Sequence, residues 1–182
     1  MTEAWVLSFA ALVDGLQLER LNSGSYTSAR DPGEPGYNKK RVSITGQEGA
    51  ILAALADGKI VLEIGTGLGV STHHLASTAR EVITCDVDAW VHEHVWPLLR
   101  GLSNVRCVDE VPRVHVDMAF IDGCHWPVAI LNDMVRTRSV IQAGGVVVFH
   151  DVNHTAVRDT IAKDMCIERT YTTTHGLGVV TL

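Results

Sequence analysis

The segment from Lys59 to Thr72, KIVLEIGTGLGVST, decides the fold class of this chain. Its first part, Ile60–Ile64, is an apolar run with β-branched residues, which is the pattern of a buried parallel strand. Glycine then occupies alternate positions, at Gly65, Gly67 and Gly69. These glycines predict a tight turn where the backbone can approach a ligand, and Ser71 and Thr72 can cap the helix that follows. A strand, a glycine loop and a helix in this order predict a nucleotide-type cofactor site at the carboxyl edge of a sheet.

The spacing of the glycines distinguishes two cofactor classes. The dinucleotide fingerprint G-x-G-x-x-G requires glycine at position 70, where this chain has Val70. The form E-x-G-x-G-x-G, which begins here at Glu63, resembles motif I of class I S-adenosylmethionine-dependent methyltransferases. That resemblance implies S-adenosylmethionine as the cofactor. The residues that the motif would place around it are Glu63, Gly65, Thr66, Gly67, Gly69 and Ser71.

Length and composition predict one globular domain. The chain has 182 residues, of which 46% are hydrophobic, enough to bury a full core. Its formal net charge of −6 disfavours nucleic acid as a partner, because binding through phosphates needs a basic surface. The four cysteines lie far apart without a C-x-x-C pair, as free thiols in a reducing compartment do. We therefore expect a cytoplasmic protein.

The predicted domain, 1–182, has three parts: an N-terminal amphipathic helix within 1–21, a mobile loop or lid at 22–41, and a cofactor-binding and catalytic core at 42–182. The apolar run Trp5–Val13 lacks a basic flank and is too short to span a bilayer, so no membrane partner is expected. An exposed apolar N-terminal helix would suit a homodimer interface. The lid carries glycine, proline and serine at many positions, which excludes a regular element.

After the glycine loop, strand and helix patterns alternate, which predicts an α/β fold with one Rossmann-like, doubly wound, mostly parallel sheet. A helix at about 46–56, with Thr45 as its N-cap, precedes the loop. The later elements are predicted as helix 71–79, strand 81–86, helix 89–100, strands 104–108 and 116–121, helix 127–141, strand 145–150, helix 154–165, and strands 167–174 and 177–182. The last two strands predict a closing antiparallel hairpin, which methyltransferase sheets have and all-parallel dinucleotide-binding sheets lack.

A second motif ends the next strand. Asp86 lies 21 positions beyond Gly65, where a carboxylate can accept hydrogen bonds from both ribose hydroxyls of an adenosine cofactor. Val87 is predicted to lie beside the cofactor, and Asp88 takes the ribose role if the register differs by two. Asp109, which ends another strand pattern, is a candidate adenine contact. A turn acid that faces solvent would explain Asp109 equally well, whereas the neighbouring glycine loop disfavours that explanation for Asp86.

A third cluster carries the predicted chemistry. Asp122 follows one apolar strand, and His150 and Asp151 follow another. Neighbouring parallel strands would bring these side chains together beside the cofactor's sulfonium, and Asp122 is also predicted to bind the cofactor. Two carboxylates and an imidazole suit a divalent cation. His125, three residues past Asp122, is then a candidate general base.

Two segments, 121–125 and 145–151, make a narrower resemblance. They resemble the metal-dependent O-methyltransferases that modify macrolide sugars, and equally the related proteins grouped with cephalosporin hydroxylases; the resemblance covers about 59–160. It implies that Asp122, His150 and Asp151 hold a divalent metal, Mg²⁺ or Mn²⁺, and that Asp122 and His125 are catalytic, His125 as the base. This chain departs from the family at Cys124 and His150, where the family has acids. Imidazole in place of carboxylate shifts metal preference from Mg²⁺ toward Mn²⁺, Fe²⁺ or Zn²⁺.

These observations predict methyl transfer from S-adenosylmethionine to a hydroxyl of a small acceptor, with a divalent metal and a histidine base. Two alternatives remain open at this point. A catalytically silent adenosine-binding protein would explain the departures at Cys124 and His150. A nicotinamide-dependent oxidoreductase is disfavoured by Val70 and by the closing hairpin.

Overall fold

The computed structural model describes residues 44–182. Its helices are α1 (Gly46–Ala56), α2 (Val70–Ala76), α3 (Ala89–His94), α4 (Trp96–Leu99), α5 (Pro127–Arg138) and α6 (Thr155–Ile161). Its strands are β1 (Ile60–Ile64), β2 (Glu81–Cys85), β3 (Val105–Val108), β4 (Val116–Ile121), β5 (Ile141–Phe149), β6 (Arg169–Tyr171) and β7 (Leu177–Thr181). The predicted N-terminal helix and the 22–41 lid lie outside the described residues. No helix within 44–182 is long and apolar enough to cross a membrane.

The strands form one sheet in the order β3-β2-β1-β4-β5-β7-β6. The first five strands pair in parallel, and β7 runs antiparallel to both β5 and β6. The predicted α/β fold with a closing antiparallel pair is therefore confirmed. Strand order reverses beside β1, and open α/β sheets bind their ligands in the crevice at such a point.

Each face of the sheet is covered by helices. Leu62 and Ile64 of β1 face a core that includes Met134 of α5 and Ile161 of α6. On the opposite face, Val61 belongs to a core built with residues of α1 and α2. Because side chains alternate along a strand, β1 is buried on both of its faces. The glycine loop follows the carboxyl end of β1 and therefore lies at the edge of the sheet, between the two helical layers.

Several predicted boundaries are wrong for local reasons. Ser71 and Thr72 do not cap α2 but lie within it, because Gly69, in a left-handed conformation with φ 77°, is already the N-cap. The predicted helix 89–100 is two helices separated at Val95. Strand β5 begins at 141 rather than 145, since Ile141 pairs with Val116 and an irregularity follows in the register.

Helix α1 begins as predicted. Thr45 is its N-cap, and Thr45 and Glu48 form a capping box in which each side chain bonds the backbone N–H of the other residue. A capping glutamate ordinarily faces solvent at the first turn of a helix. Glu48 is instead completely buried, because the end of β5 and the turn before β7 cover this end of α1.

The ends of β1 and β4 approach each other at Gly65. A Cβ atom at Gly65 would lie 2.3 Å from the carbonyl oxygen of Asp122, and φ at Gly65 is +99°. Side chains do not tolerate such a contact with backbone, so only glycine fits there. At Gly67, by contrast, a Cβ atom would meet nothing within 4 Å among residues 44–182, although φ is +51°.

We therefore expect Gly65→Ala to lower the free energy of unfolding by about 2–4 kcal/mol, since it adds both a steric overlap and backbone strain. Gly67→Ala, which adds strain without overlap, should cost about 1 kcal/mol. Chemical denaturation of the two variants measures the difference. Equal losses would show that Gly65 is not fixed by its contact with Asp122.

Candidate active site

The glycine loop leaves an open space at the carboxyl edge of β1. The N–H of Gly65 donates to the carbonyl oxygen of Cys85 at 2.8 Å, which holds the loop against the end of β2. In the described part of the chain, the Cβ direction of Gly67 faces open space. The loop therefore offers backbone, without side chains, to a ligand lying over it, as a nucleotide-type cofactor requires.

Asp86 lies directly beside this space. Its Oδ2 accepts the N–H of Gly67 at 3.0 Å, and its Oδ1 accepts the N–H of Asp88 at 2.9 Å. Asp88 has a different role, because it is the N-cap of α3 and its Oδ1 accepts the N–H of Trp90 at 2.9 Å. Of the two candidate ribose contacts, Asp86 is thus the one held against the loop.

Three other predicted cofactor residues lie in the interior. The hydroxyls of Thr66 and Thr84 are 2.6 Å apart, and Trp96 Nε1 donates to the same Thr66 hydroxyl at 3.5 Å. Ser71 is buried in the first turn of α2, and Glu63 is fully buried on β1. These residues support the loop from beneath, while the exposed backbone belongs to the glycines.

Glu63 is a carboxyl group in an apolar setting. Burial raises its pKa to about 7, and the hydroxyls of Ser71, Thr72 and Thr84 lower it only in part. Thr72 donates to Glu63 Oε2. Near neutral pH, part of the population therefore carries a proton on this side chain.

Val87 and Asp109 line the outer side of the loop region. Both border a cavity of about 770 Å³, together with the link between β3 and β4 and with Arg136 of α5. Val87 is 85% exposed, and the Asp109 side chain is 79% exposed. The contact of adenine with Val87 and Asp109 stays a prediction.

The predicted chemical residues are brought together at the ends of β4 and β5. Nδ1 of His150 lies 2.9 Å from Asp122 Oδ1 and 3.2 Å from Asp151 Oδ2. His125 Nε2 lies 2.9 Å from the same Asp151 oxygen. Asp151 has a φ of +58°, a left-handed conformation that is costly for a residue with a side chain and is often found at functional sites.

Charge is concentrated in this cluster. Burial lowers the pKa of His150, but Asp122, Asp151 and Glu48 outweigh it and raise the pKa to about 12. Burial raises the pKa of Asp151, yet hydrogen bonds from His125 and His150 hold it well below its usual range. Before any ion binds, the cluster is therefore a set of carboxylates around an imidazolium.

Sequence reasoning missed two members of this cluster, Glu48 and His175. Glu48 Oε2 lies 3.5 Å from His150 Nε2 and 3.1 Å from His175 Nδ1. Burial raises the pKa of Glu48, but the nearby His150 and the hydrogen bonds from Thr45, Thr173 and His175 hold it well below its usual range. The Thr45-x-x-Glu48 pattern was visible in the sequence as a capping box, but nothing local indicated that Glu48 would face β5.

The sequence implied an adenosine cofactor and a divalent metal, and the residues fit the first better than the second. The open space above Gly67, the fixed carboxylate of Asp86 and the cavity at Val87 together fit an adenosine cofactor. The predicted metal ligands Asp122, His150 and Asp151 do meet, but they use their ligand atoms on one another, with the imidazole between the two carboxylates. A hard, octahedral ion such as Mg²⁺ prefers oxygen ligands, and this donor set does not match it.

The sheet order, the glycine loop after β1 and the acid that ends β2 define a class I S-adenosylmethionine-dependent methyltransferase. A family model described as "Methyltransferase domain" matches residues 62–152, half of the chain, and the chain belongs to this family. No curated protein matches its sequence.

Solved structures share the fold. Cofactor-bound Rv0187 from MTB is 20% identical with a TM-score of 0.73, and the match covers 99% of this chain and 90% of that one. A candidate O-methyltransferase from Klebsiella pneumoniae is 17% identical with a TM-score of 0.67, over 94% and 89% of the two chains. SMU.776, a candidate methyltransferase complexed with SAH, is 10% identical with a TM-score of 0.58, over 75% of this chain and 48% of that one.

The raised pKa of Glu63 predicts a pH-dependent loss of stability. Between pH 4.5 and about 7 the unfolded chain releases this proton while the folded chain retains it, so stability falls as pH rises. Glu63→Gln removes this effect. From pH 5 to pH 8 the variant should gain about 2–3 kcal/mol relative to the native protein.

Urea denaturation of both proteins across this range measures the difference. Glu93→Gln, which changes an exposed carboxylate of α3, serves as the control and should track the native protein. A constant difference between native protein and Glu63→Gln at all pH values would contradict the raised pKa.

Proposed function

We propose that this protein transfers the methyl group of S-adenosylmethionine to a hydroxyl of a small molecule, with His125 as the general base. The observation that carries the proposal is the pair formed by His125 and Asp151, with Nε2 and Oδ2 2.9 Å apart, at the sheet edge that also holds the glycine loop. A histidine oriented by a buried carboxylate is a common arrangement for a base that accepts a proton from a hydroxyl.

The pair formed by His125 and Asp151 determines which nitrogen of His125 accepts the proton. When Nε2–H of His125 donates to Asp151, Nδ1 carries the lone pair and is the nitrogen that would receive the proton of the acceptor hydroxyl. The hydroxyl proton passes to Nδ1 as the oxygen attacks the methyl carbon. The sulfur–carbon bond breaks, its electron pair stays on sulfur, and S-adenosylhomocysteine leaves. Asp151 stabilises the imidazolium that results.

The remaining residues bind and orient. In this proposal the cofactor lies over Gly65 and Gly67, with its ribose hydroxyls at Asp86 and its adenine near Val87 and Asp109. Asp122 borders the reacting centre through its position between Gly65 and His150. Most of the rate enhancement then comes from holding the hydroxyl in line with the sulfonium and from excluding water.

A metal is not required for these steps. The Mg²⁺ or Mn²⁺ expected at Asp122, His150 and Asp151 stays a prediction, and comparison of chelator-treated with metal-supplemented protein tests it. When bound there, such an ion would lower the pKa of the acceptor hydroxyl. We favour O-methylation over a silent adenosine-binding role because the His125–Asp151 pair provides an oriented imidazole, which binding of the cofactor alone does not use.

His125→Ala should lower turnover by ~10²–10⁴-fold while S-adenosylhomocysteine affinity stays unchanged, since His125 acts only on the acceptor. Transfer of labelled methyl groups to a panel of small polyhydroxylated and phenolic acceptors measures turnover. His94→Ala is the matched control, because His94 lies on α3 and bonds the carbonyl of Trp90. Full activity in His125→Ala would remove the base from the mechanism.

Asp86→Ala should weaken S-adenosylhomocysteine binding by ~2–3 kcal/mol, the scale of lost hydrogen bonds to a charged group. Asp88→Asn keeps a good N-cap for α3 and should leave the affinity unchanged. Calorimetric titration of both variants gives the comparison. If Asp88→Asn loses affinity and Asp86→Ala does not, the ribose contact belongs to Asp88.

A further inference from the structure

A second group of potential metal ligands lies on the far side of the His150 ring from Asp122. Three side chains meet there: Glu48 from the first turn of α1, His150 from the end of β5, and His175 from the turn before β7. Their ligand atoms all lie within 4.8 Å of one another. Glu48 and His150 are buried, with exposed fractions of 0% and 7%.

The two nitrogens of His150 have different surroundings. Nδ1 faces Asp122 and Asp151 at hydrogen-bond distance. Nε2 is buried and has no hydrogen-bond partner among residues 44–182, since Glu48 Oε2 is 3.5 Å away. Histidines that bind metals typically donate one N–H to a carboxylate and bind the ion through the other nitrogen. His150 is oriented in that way, with Nε2 directed toward Glu48 and His175, and a metal ion that binds there replaces the proton on Nε2.

The distances fit a tetrahedral ion. Ligand atoms that lie 2.0–2.1 Å from a tetrahedral metal are separated by ~3.3 Å from each other. Glu48 Oε2 is 3.5 Å from His150 Nε2 and 3.1 Å from His175 Nδ1. Two imidazoles that share such an ion place their ring centroids ~5 Å apart. The centroids of His150 and His175 are 5.1 Å apart, with the rings inclined by 55°.

The carboxylate of this group is held in place. Glu48 Oε1 accepts hydrogen bonds from Thr173 Oγ1 at 2.7 Å and from the N–H of His175 at 2.9 Å. Glu48 Oε2 accepts the N–H of Thr45 at 2.7 Å. Carboxylates that bind metals are usually fixed by such hydrogen bonds, so little reorganisation is needed for an ion to bind.

The local charge also favours a cation. Three buried or half-buried carboxylates, Glu48, Asp122 and Asp151, surround the imidazole of His150, while His125 contacts only Asp151 and His175 only Glu48 among them. Buried negative charge needs compensation by a cation or by hydrogen bonds. Two imidazoles and one carboxylate are ligands for Zn²⁺ and Fe²⁺ rather than for Mg²⁺.

We propose that Glu48, His150 and His175 bind a divalent transition-metal ion, with Zn²⁺ as the best match. The site is separate from the ligand set expected at Asp122, His150 and Asp151, because it uses the opposite nitrogen of His150. The ion joins α1 to the ends of β5 and β7, and it fixes the orientation of His150 toward Asp122 and Asp151. It stabilises the protein whether or not methyl transfer occurs, so the proposal does not depend on the proposed function.

The test is metal binding by the chelator-treated full-length protein in the absence of S-adenosylmethionine. We expect one Zn²⁺ per chain by calorimetry and elemental analysis, and an increase in Tm on Zn²⁺ addition. Co²⁺ should give the visible absorption of a tetrahedral site. His175→Ala should weaken Zn²⁺ binding by at least ~100-fold, more than the loss of a residue that only orients a ligand.

Two further variants locate the ion. Glu48→Gln keeps the shape of the buried side chain and should also weaken binding; circular dichroism of the metal-free variant establishes that it folds. His125→Ala should retain the affinity, because His125 belongs only to the other group, Asp122, His125 and Asp151. Loss of Zn²⁺ in His125→Ala with retention in His175→Ala would place the ion at that other group and overturn the proposal. No Zn²⁺ binding by the native protein would overturn it as well.

Discussion

The close approach of Gly65 to the backbone of Asp122 is the constraint on which the rest of the site depends. It brings the ends of β1 and β4 together more tightly than any residue with a side chain would permit. The glycine loop is thereby fixed on one side of the crevice and the acidic end of β4 on the other. The parallel pairing of β4 with β5 then carries His150 and Asp151 to the same edge. Cofactor loop and chemical residues are neighbours because of this contact and the parallel pairing of β1, β4 and β5.

A network of buried charge extends from that contact through the molecule. Asp122 and Asp151 bond one nitrogen of His150, and Glu48 faces the other. Glu48 also caps α1 and bonds the turn that contains His175. Removing one partner from such a network leaves a buried charge without compensation, which is far more costly than losing a surface ion pair. The helix, the sheet edge and the closing hairpin are therefore coupled electrostatically to the residues proposed for methyl transfer.

The sequence was sufficient to predict the sheet, the loop and the meeting of Asp122 with His150 and Asp151, because each depends on a local pattern and on parallel strand order. The roles of Glu48 and His175 could not be predicted in this way. They lie 127 positions apart, and only the folded arrangement of α1 and β7 brings them together. The capping of α2 was mispredicted for a related reason, since the left-handed Gly69 begins the helix before Ser71 and Thr72. Nor did the sequence indicate that His125 would bond Asp151. The turn between β4 and α5 orients His125, and no sequence motif predicts the conformation of that turn.

The central claim is that this sheet edge binds an S-adenosyl cofactor rather than a dinucleotide. Calorimetric titration of the native protein with S-adenosylhomocysteine and, separately, with NAD tests it most directly. We expect saturable binding of one S-adenosylhomocysteine per chain and no heat of binding with NAD. Binding of NAD, or the absence of any binding of S-adenosylhomocysteine, would contradict it.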